Sequence, residues 1–488
     1  MNLPAPFVAG MQQLLGNETF SAFQEALQTD TPVSVRMNTA KCGRIPEAAT
    51  PVAWCTSGYY LSKRPTFTFD PLFHAGGYYV QEASSMFVEQ ALRRWVEGPV
   101  VMLDLCAAPG GKSTLARSVL PPGSLLVANE VMRNRSQVLA ENLIKWGHPG
   151  VIVTQNDPAD FTDLGPVFDV ILTDVPCSGE GMFRKDPVAI TEWSPENVDL
   201  CVQRQRRILR DIWPALKPGG ILIYSTCTYN THENEENVHW ISRELGAEVL
   251  SLEVPDSWSI TGNLLGGEFP VYRFLPHRTV GEGLFLAVLR KSGDESDCMA
   301  VSPAAKTKEK RGKANRKKAA VPSFPEEVKG WLDASSDWTW MMDEGAVRAF
   351  PSAYDDLYAL LKQHLRILHA GVEVCELKGR DWVPHHALAL STALCADAFV
   401  RAEISYEQAI AYLRKEAIVL DGGVPKGMVL LTYAGLPVGF VKNIGNRANN
   451  LYPQEWRIRS GYLPLTEVQK SVRLFADIQS PSFCTPVV

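Results

Sequence analysis

The sequence predicts an α/β fold, with a doubly wound, mostly parallel sheet and smaller modules at both ends of the chain. Three observations predict it. Between residues 100 and 291, short apolar runs alternate with helical patterns. One run, Val101-Met102-Leu103-Asp104-Leu105, passes into Cys106-Ala107-Ala108-Pro109-Gly110-Gly111-Lys112, a turn of small residues ahead of a helix. The next run closes on Glu130, 19 residues after Gly111. At a spacing of roughly 20 residues, an acid in dinucleotide-type folds bonds ribose hydroxyls.

Residues 1–75 read as a small mixed domain. Residues 20–27 fit an amphipathic helix, and residues 34–39 fit a short strand. A helical pattern at 77–95 leads into the central strand. Strands are predicted at 100–106, 125–130, 151–155, 169–174 and 221–226. Helices fit at 133–146 and 199–216. Runs at 247–252 and 283–291 are expected to close the edge as a hairpin-like pair. The turn at 106–112 lets the backbone approach a ligand closely. The helix that follows adds free N–H groups and a positive dipole end, which suit an anionic or carboxylate-bearing cofactor.

Residues 293–325 read as a linker. Within it, 306–318 carries eight basic residues and one acid and has almost nothing to bury. It is either an electrostatic tether for RNA or a solvated connection. Residues 326–400 read as a compact, aromatic-rich α+β unit. From 401 to 488 the pattern is strand-rich, with a hairpin around Ala434-Gly435-Leu436-Pro437. There Lys442, Arg447, Arg457 and Arg459 interleave with Tyr452 and Trp456. That is the composition of an RNA-binding face, or of a β-module with ordinary surface charge.

Composition narrows the classes. A net charge of −6 gives no global nucleic-acid signal, so a polyanion would need a local basic surface. No apolar run suits a membrane helix, and the N-terminus lacks the basic start of a secretory signal. The ten cysteines include no Cys-x-x-Cys pair, which argues against a zinc ribbon and for a reducing cytoplasm. No metal site is expected.

Two further segments end strands of the same sheet: Asp174-Val175-Pro176-Cys177-Ser178-Gly179 and Ser225-Thr226-Cys227-Thr228. Ligands of such sheets bind at the carboxyl ends of strands, so both segments should face one crevice. Free cysteine is usually a small buried hydrophobe. For Cys177 and Cys227 the strand-end position favours chemistry. A thiol, an acid and a ribose-bearing cofactor suit methylation of cytosine at carbon 5. That carbon is a weak nucleophile until a thiolate adds at carbon 6. After transfer, the carbon-5 proton must leave and the thiol must be expelled, which calls for a nucleophile and a second acid–base group.

These residues resemble the Nop/Sun family of S-adenosylmethionine-dependent RNA cytosine-5 methyltransferases, and within it the bacterial RsmF branch that modifies small-subunit ribosomal RNA. The resemblance is dense over 76–291. It rests on the 106–112 turn, Asn129-Glu130, Asp157, the run Asp174 to Gly181, Lys217-Pro218-Gly219-Gly220, the run Ser225 to Tyr229, and Pro276-His277 with Gly281-Glu282-Gly283. It implies a Rossmann-like class I methyltransferase domain at 76–292 that binds S-adenosylmethionine. Residues 1–75, through Arg36-Met37-Asn38-Thr39, resemble the family's N-terminal RNA-binding module. Residues 401–488 look like its PUA-like RNA-binding module.

Carried over by position, Cys106, Ala107, Ala108, Pro109, Gly110, Gly111 and Lys112 cradle the methionine part of the cofactor. Glu130 holds the ribose, Asp157 lies near the adenine amine, and Asp174 lies against cofactor and cytosine. Cys227 matches the nucleophile and Cys177 the cysteine that assists release. Pro176-Cys177 also resembles the nucleophile segment of DNA cytosine-5 methyltransferases, so the residues alone leave the two roles exchangeable. Arg135 reads as a surface salt bridge, or as support for the cofactor pocket. The implied partner is RNA, 16S ribosomal RNA first and transfer RNA second, for a cytoplasmic monomer. Two rivals remain at this level. One is a P-loop ATPase, imitated by Gly111-Lys112-Ser113. The other is a non-catalytic RNA-binding assembly factor.

Overall fold

Strands covered on both faces need apolar residues throughout, and the central runs supply them. In the computed structural model, which describes residues 1–293, 324–334 and 336–461, every residue of Leu125–Asn129 and Val151–Thr154 is buried. The basic run at 306–318, Cys298 and Cys484 lie outside the described residues.

Among the described residues the central sheet has nine strands. Val101–Asp104 pairs in parallel with Leu125–Asn129 on one side and Phe168–Asp174 on the other. Val151–Thr154 and Leu216–Thr226 extend the parallel part outward. The chain therefore reverses its direction of winding between Val101–Asp104 and Phe168–Asp174, where such sheets open a ligand crevice. Leu284–Lys291 lies antiparallel between Leu216–Thr226 and Ala247–Leu250, as the hairpin-like expectation had it. Leu126 and Ala128 pack with Leu115 and Leu139 on one face; Leu125 and Val127 pack with Leu209 and Ile212 on the other.

Several boundaries differ from expectation, each for a local reason. The helix Arg133–Trp146 has the predicted limits, ended by Gly147 in the left-handed region. The helix expected at 199–216 begins earlier, at Pro195, because the Ser194 hydroxyl accepts the Asn197 N–H at 3.1 Å and caps it. It ends at Ile212, and Leu216 already belongs to the next strand. The stretch 77–95 is not one helix. Tyr78–Val80 is a strand, Ser84–Phe87 a tight turn of helix, and only Val88–Trp95 is α-helical.

That strand pairs with Val33–Met37, so the N-terminal sheet runs past residue 75. Nor does 326–400 stand apart. Its strand Ile367–Ala370 pairs antiparallel with Val151–Thr154 and forms an edge of the central sheet. Phe350, Leu361, Leu365 and Ala370 enter the same core as Leu209 and Ile212. The predicted hairpin is present as Gly427–Tyr433 and Leu436–Asn443. Its turn is Ala434-Gly435, both at positive φ, which matches the twist of paired strands. Among the described residues no helix is long and apolar enough to cross a membrane.

Candidate active site

The parallel pairing of Phe168–Asp174 with Leu216–Thr226 sets Asp174 opposite Ser225. The segments that leave these strand ends run side by side, and the Cys177 and Cys227 sulfurs lie 3.2 Å apart. Both are free thiols. The Cys177 thiol is held well above its ordinary pKa, first by its hydrogen bond to Cys227 and then by burial. It therefore keeps its proton beside the second sulfur.

Lys112 reaches the same place. Its ammonium lies 2.7 Å from Asp174 Oδ2, while the Ser225 hydroxyl donates to Oδ1 at 2.9 Å. Burial works against the lysine's charge, but Asp174 more than offsets it, and the net pKa is raised. A thiolate at Cys227 adds to that effect. Lys112 is thus directed at the acid and thiol, not spent on the opening of its own helix.

The turn 106–110 is shaped by its neighbours. Ala107 N–H bonds the Asn129 carbonyl at 2.8 Å, tying the turn to the adjacent strand. Gly110 caps the helix Gly111–Val119 at φ 114°. That left-handed φ favours glycine, and a Cβ there would also crowd Leu139 Cδ1 at 3.3 Å. Arg135 does more than form a surface pair: its guanidinium joins Glu130 Oε2, at 3.1 Å, to the Ala108 carbonyl, at 2.8 Å. Glu130 is buried and also caps Met132 N–H at 2.9 Å.

Asp104 was missed by sequence reasoning. Its Oδ2 accepts from the Ser113 hydroxyl at 2.6 Å, but Oδ1 is buried without a partner. Burial pushes its carboxyl up to about 7. The available signal was an acid closing an otherwise apolar strand. An unpaired buried acceptor, a helix N-terminus and Glu130 ring the turn. Together they fit a ligand that carries an ammonium, a carboxylate and a ribose, as S-adenosylmethionine does. Asp157 has other duties: it caps the short helix Pro158–Leu164 and pairs with Arg207 at 3.2 Å.

Other expectations shift. Arg36 is fully buried. Its guanidinium bonds Gln81 Oε1 at 2.8 Å and Thr114 Oγ1 at 2.5 Å and stacks 4.4 Å from the Trp146 ring. It is a strut between the N-terminal sheet and the helix Gly111–Val119. Tyr452 is buried among Tyr412 and His386 rather than presented on an RNA-binding face. The N-terminal helices Ala5–Leu15 and Asn17–Ala26 pack on the cysteine loops, with Phe23 5.0 Å from Tyr229 and Phe7 5.1 Å from Phe183. Among the described residues, no cluster of His, Cys, Asp and Glu is arranged to hold a metal ion.

Comparison with known proteins shows which family the chain resembles along its length. The family described as 16S rRNA methyltransferase RsmB/F matches residues 96–290. The N-terminal domain of 16S rRNA methyltransferase RsmF matches residues 3–83, and the methyltransferase RsmF PUA domain matches residues 399–458. The chain is 31% identical over 483 residues to the ribosomal RNA small subunit methyltransferase F of Erwinia tasmaniensis, covering 94% of this chain and 98% of that protein. It is 30% identical over 477 residues to the protein of the same name from Vibrio cholerae, covering 93% and 98%. Among solved structures, a methyltransferase homolog from Pyrococcus horikoshii is 29% identical, with a TM-score of 0.51 over 59% of this chain and 94% of that one. NSun6 from Pyrococcus horikoshii, solved with SFG, shares the fold at 21% identity and a TM-score of 0.52, over 60% of this chain and 99% of its own. S-adenosylmethionine is the cofactor of this chain. The chain belongs to the ribosomal RNA small subunit methyltransferase F family.

Proposed function

We propose that this chain forms 5-methylcytosine in 16S ribosomal RNA, with Cys227 as nucleophile and Cys177 assisting release. The observation that carries this reading is the 3.2 Å separation of two free thiols beside Asp174, at the crevice between the central strands. Methylation of an exocyclic amine would need no thiol there. Binding alone would need neither.

In this reading the Cys227 thiolate adds to cytosine carbon 6, the carbon 5–6 double-bond electrons move into the carbon 4–5 bond, and the negative charge passes to N3, leaving an enamine that is nucleophilic at carbon 5. Asp174, held by Lys112 and Ser225, accepts from the exocyclic amine of the base and fixes its orientation. S-adenosylmethionine, when bound, supplies an electrophilic methyl group. Cys177, its own proton passed to solvent, then takes the carbon-5 proton. The double bond re-forms as the bond from carbon 6 to the Cys227 sulfur breaks.

The cofactor is held by the turn Cys106, Ala107, Ala108, Pro109, Gly110, Gly111 and Lys112. Glu130 would bond its ribose, and the unpartnered Oδ1 of Asp104 would receive its ammonium. Asp157 lies near the adenine amine, with a partly exposed carboxylate whose Oδ1 also caps Pro158–Leu164 and pairs with Arg207. The N-terminal RNA-binding module runs on to Val80, and the methyltransferase unit, expected at 76–292, follows it. That module and the segment from 401 onward meet the RNA, and the chain acts as a monomer in the cytoplasm.

Bisulfite sequencing of ribosomal and transfer RNA, from cells with and without this chain, tests the reading. One or more protected cytosines of 16S ribosomal RNA are expected to vanish with the protein. Loss confined to transfer RNA, or no loss, would overturn it.

A further inference from the structure

Two buried glutamates face each other across the cysteine loops. Glu180 stands three residues after Cys177 and is 1% exposed. Every group that meets it is a donor. Tyr229 N–H at 2.7 Å and Asn230 N–H at 2.9 Å reach Oε2; Trp193 Nε1 at 2.9 Å and the Asn230 amide at 3.1 Å reach Oε1. Glu233 answers from the Cys227 side. Its Oε2 accepts Ser178 N–H at 3.0 Å and Gln205 Nε2 at 2.7 Å, and its Oε1 accepts the Asn230 amide at 2.8 Å. Each loop thus donates main-chain N–H groups to a carboxylate rooted in the other.

The Asn230 amide lies between the two carboxylates, and its Oδ1 accepts Glu233 N–H at 2.9 Å. The Ser178 and Thr228 hydroxyls pair at 2.9 Å, and Gly181 N–H bonds the Cys227 carbonyl at 2.9 Å. Buried N–H groups in irregular loops must find acceptors, and here the acceptors cross from loop to loop. Neither carboxylate bonds a sulfur, although the Glu233 charge adds to the effects that keep the Cys177 thiol protonated.

We infer that Glu180 and Glu233 are positioning residues, forming a reciprocal clasp that holds the Cys177 and Cys227 thiols within reach of each other. The inference rests on the two-cysteine chemistry proposed above and adds what keeps the pair together. By its logic, loosening the clasp separates the thiols without touching the cofactor turn.

The test uses the full chain and two near-isosteric variants, Glu180→Gln and Glu233→Gln. Glutamine offers one acceptor and one donor. Glu180→Gln turns an amide NH2 toward two existing donors. In Glu233→Gln the NH2 can face Asn230 alone, whose amide keeps Thr228 Oγ1 at 3.0 Å, so this variant loosens less. The direct readout is the rate at which dibromobimane bridges Cys177 to Cys227, located by peptide mass. Alongside it are measured kcat, KM for RNA, cofactor Kd and thermal melting. For Glu180→Gln we expect bridging at least ~10-fold slower, kcat down ~100-fold, and cofactor Kd within about twofold, since displacement by about 1 Å can cost that much rate. Glu233→Gln should fall between this variant and wild type, and it carries the test if Glu180→Gln fails to fold. Unchanged bridging and unchanged kcat in the folded variants would overturn the clasp. Bridging does not depend on the product, so failure of the cytosine-5 reading would show separately, as wild-type protein that never traps 5-fluorocytosine RNA.

Discussion

The Cys177 sulfur lies 3.2 Å from the Cys227 sulfur, although 50 residues separate them in sequence. Two adjacent parallel strands bring them together, because each cysteine follows closely on a strand end. The same strand ends carry Asp174 and Ser225, and Lys112 arrives from the helix beside them. Thiol pair, acid and cation therefore share one edge of the sheet. The proximity also has a chemical price: the Cys177 proton stays with its sulfur until the neighbouring sulfur is engaged elsewhere.

Asp104 should couple cofactor binding to pH. Its carboxyl titrates at about 7 in the fold, against 3.8 for an ordinary aspartate, because burial disfavours its charge. Between those values the folded chain keeps a proton that the unfolded chain has lost. Ligand-free stability therefore falls as pH rises through that window, and the effect is complete above about 7. A cofactor ammonium at Oδ1 favours the carboxylate, so binding below that pH should release a proton and tighten as pH rises. Calorimetry at pH ~6 in two buffers of different ionisation heat should count close to one proton. Asp104→Asn should abolish the release and weaken binding about tenfold or more.

Arg36 should matter for stability rather than for RNA contact. Arg36→Ala strands Gln81 Oε1, takes one donor from Thr114 Oγ1, which keeps its own bond to the Gly110 carbonyl, and removes the stack on Trp146. The expected loss is about 3 kcal/mol. Denaturant unfolding measures it, and RNA affinity of the folded fraction should stay within about twofold of wild type, since no exposed charge is lost.

Gly181→Ala tests how closely the two loops approach. An added Cβ would lie 2.8 Å from the Cys227 carbonyl oxygen and 3.1 Å from Gly283 Cα, both backbone atoms. The Cys227 loop must then move. Turnover should fall ~10- to 100-fold while cofactor affinity holds, a split read from kcat and equilibrium binding.

The central strands were legible because residues buried on both faces leave unbroken apolar runs, as at Leu125–Asn129. The helix Arg133–Trp146 was legible because Gly147 ends it with a left-handed residue. The two cysteines were legible because strand ends in such sheets share a crevice. Other features carry no local signal. Nothing near Ile367–Ala370 says that it completes a sheet begun at Val101. Glu180 and Glu233 look like solvent charges in sequence, since a single buried carboxylate has no periodicity. Tyr452 fits the composition of an RNA-binding face yet is buried, because composition cannot tell an inward side chain from an outward one.

Covalent trapping on RNA containing 5-fluorocytosine separates the two cysteines most directly. Fluorine at carbon 5 cannot leave as a proton does, so the adduct persists after methyl transfer. Wild-type chain should form a complex stable to denaturing electrophoresis. Cys227→Ala should form none, while Cys177→Ala should still trap the fluorinated RNA and should also hold unmodified RNA as a slowly released complex. Trapping by the Cys227 variant, with none by the Cys177 variant, would contradict the assignment.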